Sequence, residues 1–203
     1  MLKVAVLVSG GGTNLQAIFD KKDLGFLPSV DIALVLSNKA DAYALERAKQ
    51  RGIEALVLEK EKGQSRAEYG ERLIQALKQR QIKFVVLAGF LVILPENFIS
   101  AFESRIINVH PSLIPSFCGD GFYGLKVHQA ALDYGVKVTG ATVHYVNAVT
   151  DGGKIIAQRA VDILPDDTAE TLQHRVMVQA EWELLPMALE ACCKGEIECK
   201  SKI

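Results

Sequence analysis

The chain has 203 residues, 49% of them hydrophobic and 23% charged, and its 23 basic and 24 acidic side chains leave a formal net charge of −1. That length and balance suit one α/β domain with a real apolar core. The basic residues are dispersed, which excludes a nucleic-acid or anionic-membrane footprint, and no apolar run reaches the length of a membrane span.

The first apolar run, residues 3–8, ends in glycines and lacks a small-residue cleavage site, so it reads as a strand rather than a signal peptide. Further buried strands are expected over 32–36, 55–58, 84–87 and 106–109. Helices are expected between them over 14–22, 42–51, 65–80 and 95–102. Strands apolar on both faces and separated by helices predict a doubly wound, mostly parallel sheet. Beyond it, residues 139–146 and 155–161 flank the turn Thr150-Asp151-Gly152-Gly153 and predict an added antiparallel pair near the C-terminus. Residues 166–194 have helical character, and the polar tail 196–203 is expected to fray. Cys118, Cys192, Cys193 and Cys199 have no metal-ligand spacing and read as free thiols in a cytoplasmic, reducing setting.

Ser9-Gly10-Gly11-Gly12-Thr13-Asn14 joins the first strand to the first helix. Glycines there let backbone N–H groups converge, and the helix amino end adds partial positive charge, which makes a cradle for phosphate or carboxylate. A dinucleotide fingerprint is excluded because Leu15 stands where its third glycine belongs and Ser37-Asn38 offers no acid to a ribose. No Walker lysine is present either, since Gly153-Lys154 is followed by Ile155. A terminal monophosphate fits better.

The most informative segment is Asn108-Val109-His110-Pro111-Ser112-Leu113-Ile114-Pro115. On a strand, Asn108 and His110 project from one face, and Pro111 ends the strand there. Asp151, in its Gly-flanked turn, is the expected third member. A carboxylate there favours the charged imidazole, so the pKa of His110 is expected to be raised.

With these motifs in hand, the chain resembles the phosphoribosylglycinamide formyltransferases, folate-dependent enzymes of purine synthesis. The resemblance rests on residues 9–16, Ser37-Asn38-Lys39-Ala40, Leu87-Ala88-Gly89-Phe90, residues 108–115, and residues 140–144 leading to Asp151-Gly152-Gly153. It implies a single domain over 1–203, with a mononucleotide-binding half (1–102) and a catalytic and folate-binding half (103–195). It implies transfer of a formyl group from 10-formyltetrahydrofolate, as co-substrate, to the amine of glycinamide ribonucleotide, with no metal. Asn108, His110 and Asp151 would be catalytic, each oxyanion donor being worth about 2.7–4 kcal/mol of barrier. Gly12, Thr13 and Asn14 would meet the substrate phosphate. Folate would lie along Leu91, Val92, Ile93, Leu94, Asn108 and the loop 146–150, with Arg66 near its pterin or glutamate side. Glu181 would contact the ribose or amine.

The chain departs from the family pattern at three places. Val92 stands where many relatives carry Arg. The loop 116–124 is long and rich in glycine and aromatics, which suggests a lid. Gln179-Ala180-Glu181-Trp182 replaces a Glu-His pair, which shifts the expected register of Glu181. Cys118, though close to His110 in sequence, has no part in direct amine attack. A 10-formyltetrahydrofolate hydrolase is the alternative within the superfamily, and a nucleotide-binding module without catalysis is the alternative outside it. Monomer and homodimer are equally compatible with the sequence.

Overall fold

The computed structural model describes residues 1–197. The expected fraying of the tail lies, from residue 198 on, outside the described residues, as does Cys199. The elements are β1 (Leu2–Val8), α1 (Thr13–Asp23), β2 (Val30–Ser37), α2 (Tyr43–Gln50), β3 (Glu54–Val57), α3 (Arg66–Gln79) and β4 (Phe84–Leu87). They continue with α4 (Glu96–Ala101), β5 (Ile106–His110), α5 (Leu125–Tyr134), β6 (Val138–Tyr145), β7 (Ile155–Asp162), α6 (Ala169–Val176), a π-helical turn (Met177–Glu181) and α7 (Trp182–Lys194). No helix among the described residues is long and apolar enough to cross a membrane.

One sheet holds all seven strands in the order β3-β2-β1-β4-β5-β6-β7, parallel through β5 and antiparallel from β5 to β7. This is the doubly wound sheet with an added antiparallel pair that the strand pattern predicts. From β1 the chain winds outward to β2 and β3, then returns to β4 and β5 on the other side. A crevice therefore opens at the carboxyl ends of β1 and β4.

Alternation along β1 feeds two apolar layers. Val4, Val6 and Val8 pack with α1 and α7 residues, whereas Ala5 and Leu7 pack with residues of α3 and α4. The second layer reaches Ile106 on β5 but takes no residue from β6 or β7. Asn108 and His110 share the face of Ile106 and lie past the edge of that layer. There the 111–124 and 146–154 loops close over the sheet instead of a helix.

Two features were not expected. Helix α5 buries only Val127, His128 and Ala131, too narrow an apolar stripe to announce a helix. The 166–194 stretch is two helices interrupted by the π-helical turn, and Pro186 lies inside the second.

Candidate active site

A cavity of about 770 Å³ occupies the crevice at the switch point. Of the predicted site residues, Gly12, Thr13, Asn14, Leu91, Val92, Ile93, Leu94, Asn108, His110, Asp151 and Glu181 all line it. Arg66 does not: it is exposed at the first position of α3, outside the lining.

At the β1 end, Gly12 caps α1 in a left-handed conformation, φ 74°, without a side-chain cap, so the first N–H groups of the helix are left for a ligand. A Cβ at Gly12 would come 2.6 Å from the Cβ of Ala44, so only glycine fits. Gly10 and Gly11 face open space instead. Asn14 Nδ2 donates to Glu181 Oε2 at 2.6 Å, while Asn14 Oδ1 is buried without a partner. The π-helical turn delivers Glu181 to this point. Burial raises its pKa to about 7, against the opposing pull of the Asn14 amide.

At the β5 end, Asp151 reaches over the sheet face in a left-handed conformation, φ 54°. Its Oδ2 accepts from Gly119 N at 2.9 Å and lies 3.5 Å from His110 Nδ1, while Oδ1 lies 3.5 Å from His144 Nε2. His144 Nδ1 donates to the Tyr145 carbonyl at 2.8 Å, which leaves Nε2 as the atom that accepts from Asn108 Nδ2, 3.2 Å away. That leaves the second amide hydrogen of Asn108 for the cavity. His110 Nε2 donates to the Phe117 carbonyl at 2.9 Å.

Burial is the largest influence on Asp151 and would raise its pKa. His144, His110 and the Gly119 N–H together outweigh it, so the carboxyl titrates below its ordinary value and is ionised. His110 goes the other way from expectation. Asp151 and the Phe117 carbonyl do raise its pKa, but burial lowers it more and His144 adds to the lowering, so the resting ring is neutral. The expected elevation is thus corrected: a sequence shows the partner charge but not the depth of burial.

The residues around the motif hold it in place. Thr142, opposite His110 in β6, donates to the Ser112 carbonyl at 2.7 Å and accepts from Ile114 N at 3.1 Å, which pins the chain after Pro111. The 116–124 loop is tied down by the Gly119–Asp151 bond and by Thr150 Oγ1 donating to Asp120 Oδ1 at 3.0 Å. Cys118 Sγ points to the Pro115 carbonyl at 3.3 Å, and burial raises its pKa, so the thiol is protonated.

Sequence reasoning did not place His144 or His128 in the site. His144 alternates with apolar residues along β6, a pattern that reads as core. His128, in α5, lines the cavity with both ring nitrogens buried and unpartnered, and burial lowers its pKa to about 4. Among the described residues no group of three or more His, Cys, Asp or Glu is placed to hold a metal ion.

The Formyl transferase family model matches residues 2–189. A phosphoribosylglycinamide formyltransferase of Haemophilus influenzae is 38% identical over 203 residues, covering 100% of this chain and 92% of the relative. A chloroplastic enzyme of the same name from Vigna unguiculata is 38% identical over 96% of this chain, which spans only 62% of that longer protein. Among solved structures, glycinamide ribonucleotide transformylase 1 from Symbiobacterium toebii superposes with a TM-score of 0.89 at 40% identity, over 96% of this chain and 89% of that one. A match this continuous carries the glycine loop, the Asn108–His110 strand and Asp151 together, and the chain belongs to the formyl transferase family, on the phosphoribosylglycinamide formyltransferase branch.

Proposed function

We propose that the protein transfers the formyl group of 10-formyltetrahydrofolate to the amine of glycinamide ribonucleotide. The observation that carries this reading is the meeting, in one cavity, of an uncapped helix amino end with the Asn108–His110–Asp151 set. The cradle at Gly12, Thr13 and Asn14 suits the acceptor's phosphate. Glu181, beside Asn14, suits a ribose hydroxyl or the amine. Leu91 and Ile93 are exposed on the rim with Val92 between them, an apolar edge for a flat pterin. Arg66, outside the cavity, is suited to the folate's glutamate carboxylates rather than its pterin.

The chain's residues then divide the reaction. When the amine attacks the formyl carbon, the free amide hydrogen of Asn108 donates to the developing oxyanion. The amine must shed a proton and the folate nitrogen must gain one. His110 is neutral at rest and already donates from Nε2, so Nδ1 takes the incoming proton, directly or through a water held by Asp151. The imidazolium then has an acceptor on each side, the Phe117 carbonyl at Nε2 and Asp151 at Nδ1, and its positive charge stabilises the oxyanion through space. Return of that proton to the folate nitrogen completes the transfer.

A hydrolase leaves the glycine cradle without a task, and a binding module leaves the Asn108–His110–Asp151 set without one. Mixing the protein with both compounds and following the folate absorbance tests the proposal. Formyl transfer that requires glycinamide ribonucleotide is expected; turnover with formylfolate alone would indicate the hydrolase, and no turnover would sink the reading.

A further inference from the structure

Ser9, the last residue before the glycine cradle, is buried and does not line the cavity. Its hydroxyl nevertheless sits between two segments at the carboxyl edge of the sheet. Ser9 Oγ accepts from Leu91 N at 2.9 Å and donates to Asn38 Oδ1 at 2.6 Å. The direction is forced, because a backbone N–H can only donate, so the hydroxyl proton must go to Asn38. Asn38 follows β2, which pairs with β1, and Leu91 belongs to the segment after β4, on the other side of β1.

The two half-sites are anchored unequally. The cradle has bonds of its own: Ala44 N to the Gly10 carbonyl, Arg47 Nε to the Gly11 carbonyl, and Gln16 N to the Gly12 carbonyl. Residues 89–94, which form the apolar rim, make one hydrogen bond among the described residues, the one from Leu91 N to Ser9.

We propose that Ser9 is a positioning residue for the formyl-donor half of the site, with Asn38 orienting its hydroxyl so that a lone pair faces Leu91. Ser9 thereby sets the rim at a fixed distance from the cradle, and the Ser37-Asn38-Lys39-Ala40 motif, which lies outside the cavity lining, gains a role in binding the donor. The inference rests on the functional reading above, in which the rim takes the folate.

Steady-state kinetics with each substrate varied in turn, on the wild type, Ser9→Ala, Asn38→Ala and the double variant, test it. Removing the hydroxyl is expected to raise KM for 10-formyltetrahydrofolate about tenfold, the scale of one lost ordering hydrogen bond. KM for glycinamide ribonucleotide and the thermal midpoint should stay near wild type. Because Asn38 acts through Ser9, the double variant should be no worse than Ser9→Ala. Equal increases in both KM values, additive losses in the double variant, or an unchanged donor KM would each overturn the proposal. A wild-type protein without transfer activity would instead overturn the functional reading.

Discussion

Asp151 Oδ2 stands 3.5 Å from His110 Nδ1, an ion-pair separation and not a formed hydrogen bond. With the opposite ring nitrogen already donating to the Phe117 carbonyl, the neutral imidazole turns a lone pair toward a carboxylate. The contact becomes favourable when a proton arrives at Nδ1. In the proposed mechanism the pair is arranged for a proton that comes during the reaction.

Asp151→Asn should therefore lower kcat by about 10²–10⁴-fold, the range for loss of a working acid–base pair. It removes the charge that raises the His110 pKa, leaving only the Phe117 carbonyl to oppose the lowering by burial. His110 is needed neutral at the start, so the acid limb of the pH–rate profile should move to lower pH while the plateau falls. An acid limb that stays in place would show that the two groups do not titrate together.

His144 separates orientation from proton transfer. Its Nε2 accepts from the Asn108 amide, and without it the amide that the proposed mechanism aims at the oxyanion is free to rotate. His144→Leu should lower kcat about 10–100-fold with both KM values little changed, because the loss falls on the transition state. His174→Ala is the control: that ring lies edge-on to Trp182, centroids 6.4 Å apart, and makes no part of the cavity lining. Equal losses for the two variants would remove the claim for His144.

The legibility of these residues in the sequence follows from how each is held. Asn108 and His110 are readable because a strand has a period of two and Pro111 stops it at a known place. The cradle is readable because glycine clusters have few other reasons to stand between a strand and a helix. Glu181 is harder: the π-helical turn inserts an extra residue, so helical periodicity counted from Ala169 loses its register there. The acid nonetheless reaches the cavity. His128 and the helix that carries it escape detection because three buried residues in α5 make too narrow an apolar stripe. Burial itself, which reverses the pKa shift of His110, is a property of the closed loops and not of any local pattern.

Two neighbouring glycines should respond oppositely to alanine. Gly11 faces open space and lacks the left-handed conformation, so Gly11→Ala should leave the thermal midpoint unmoved. Its new methyl group would stand in the cradle, raising KM for glycinamide ribonucleotide at least about tenfold. Gly12→Ala meets both a positive φ and a Cβ contact of 2.6 Å, and should destabilise the fold by about 1–3 kcal/mol. Thermal melts beside acceptor titrations separate the two; a stable Gly11→Ala with unchanged acceptor KM would place the phosphate elsewhere.

Glu181 links the site to stability through pH. Its folded pKa, about 7, lies above the ordinary 4.5, so the folded state favours the neutral carboxyl. A raised acid pKa contributes stability that is fully present below about pH 4.5 and is lost as pH rises toward 7. Glu181→Gln cannot ionise, so it should be more stable than wild type at pH 8, by on the order of 2–3 kcal/mol, and nearly equal to it at pH 4.5. The Gln carbonyl can still accept from Asn14 Nδ2, and its NH₂ can donate to the Asn14 Oδ1 that is buried without a partner. Denaturant melts of both proteins across that pH range measure the difference directly. A gap that does not widen between pH 4.5 and 7 would mean that Glu181 carries its charge in the folded state, with Asn14 holding a carboxylate and not an acid. If the gap widens while KM for glycinamide ribonucleotide rises, Glu181 is a binding group kept at a stability cost by the acceptor it holds.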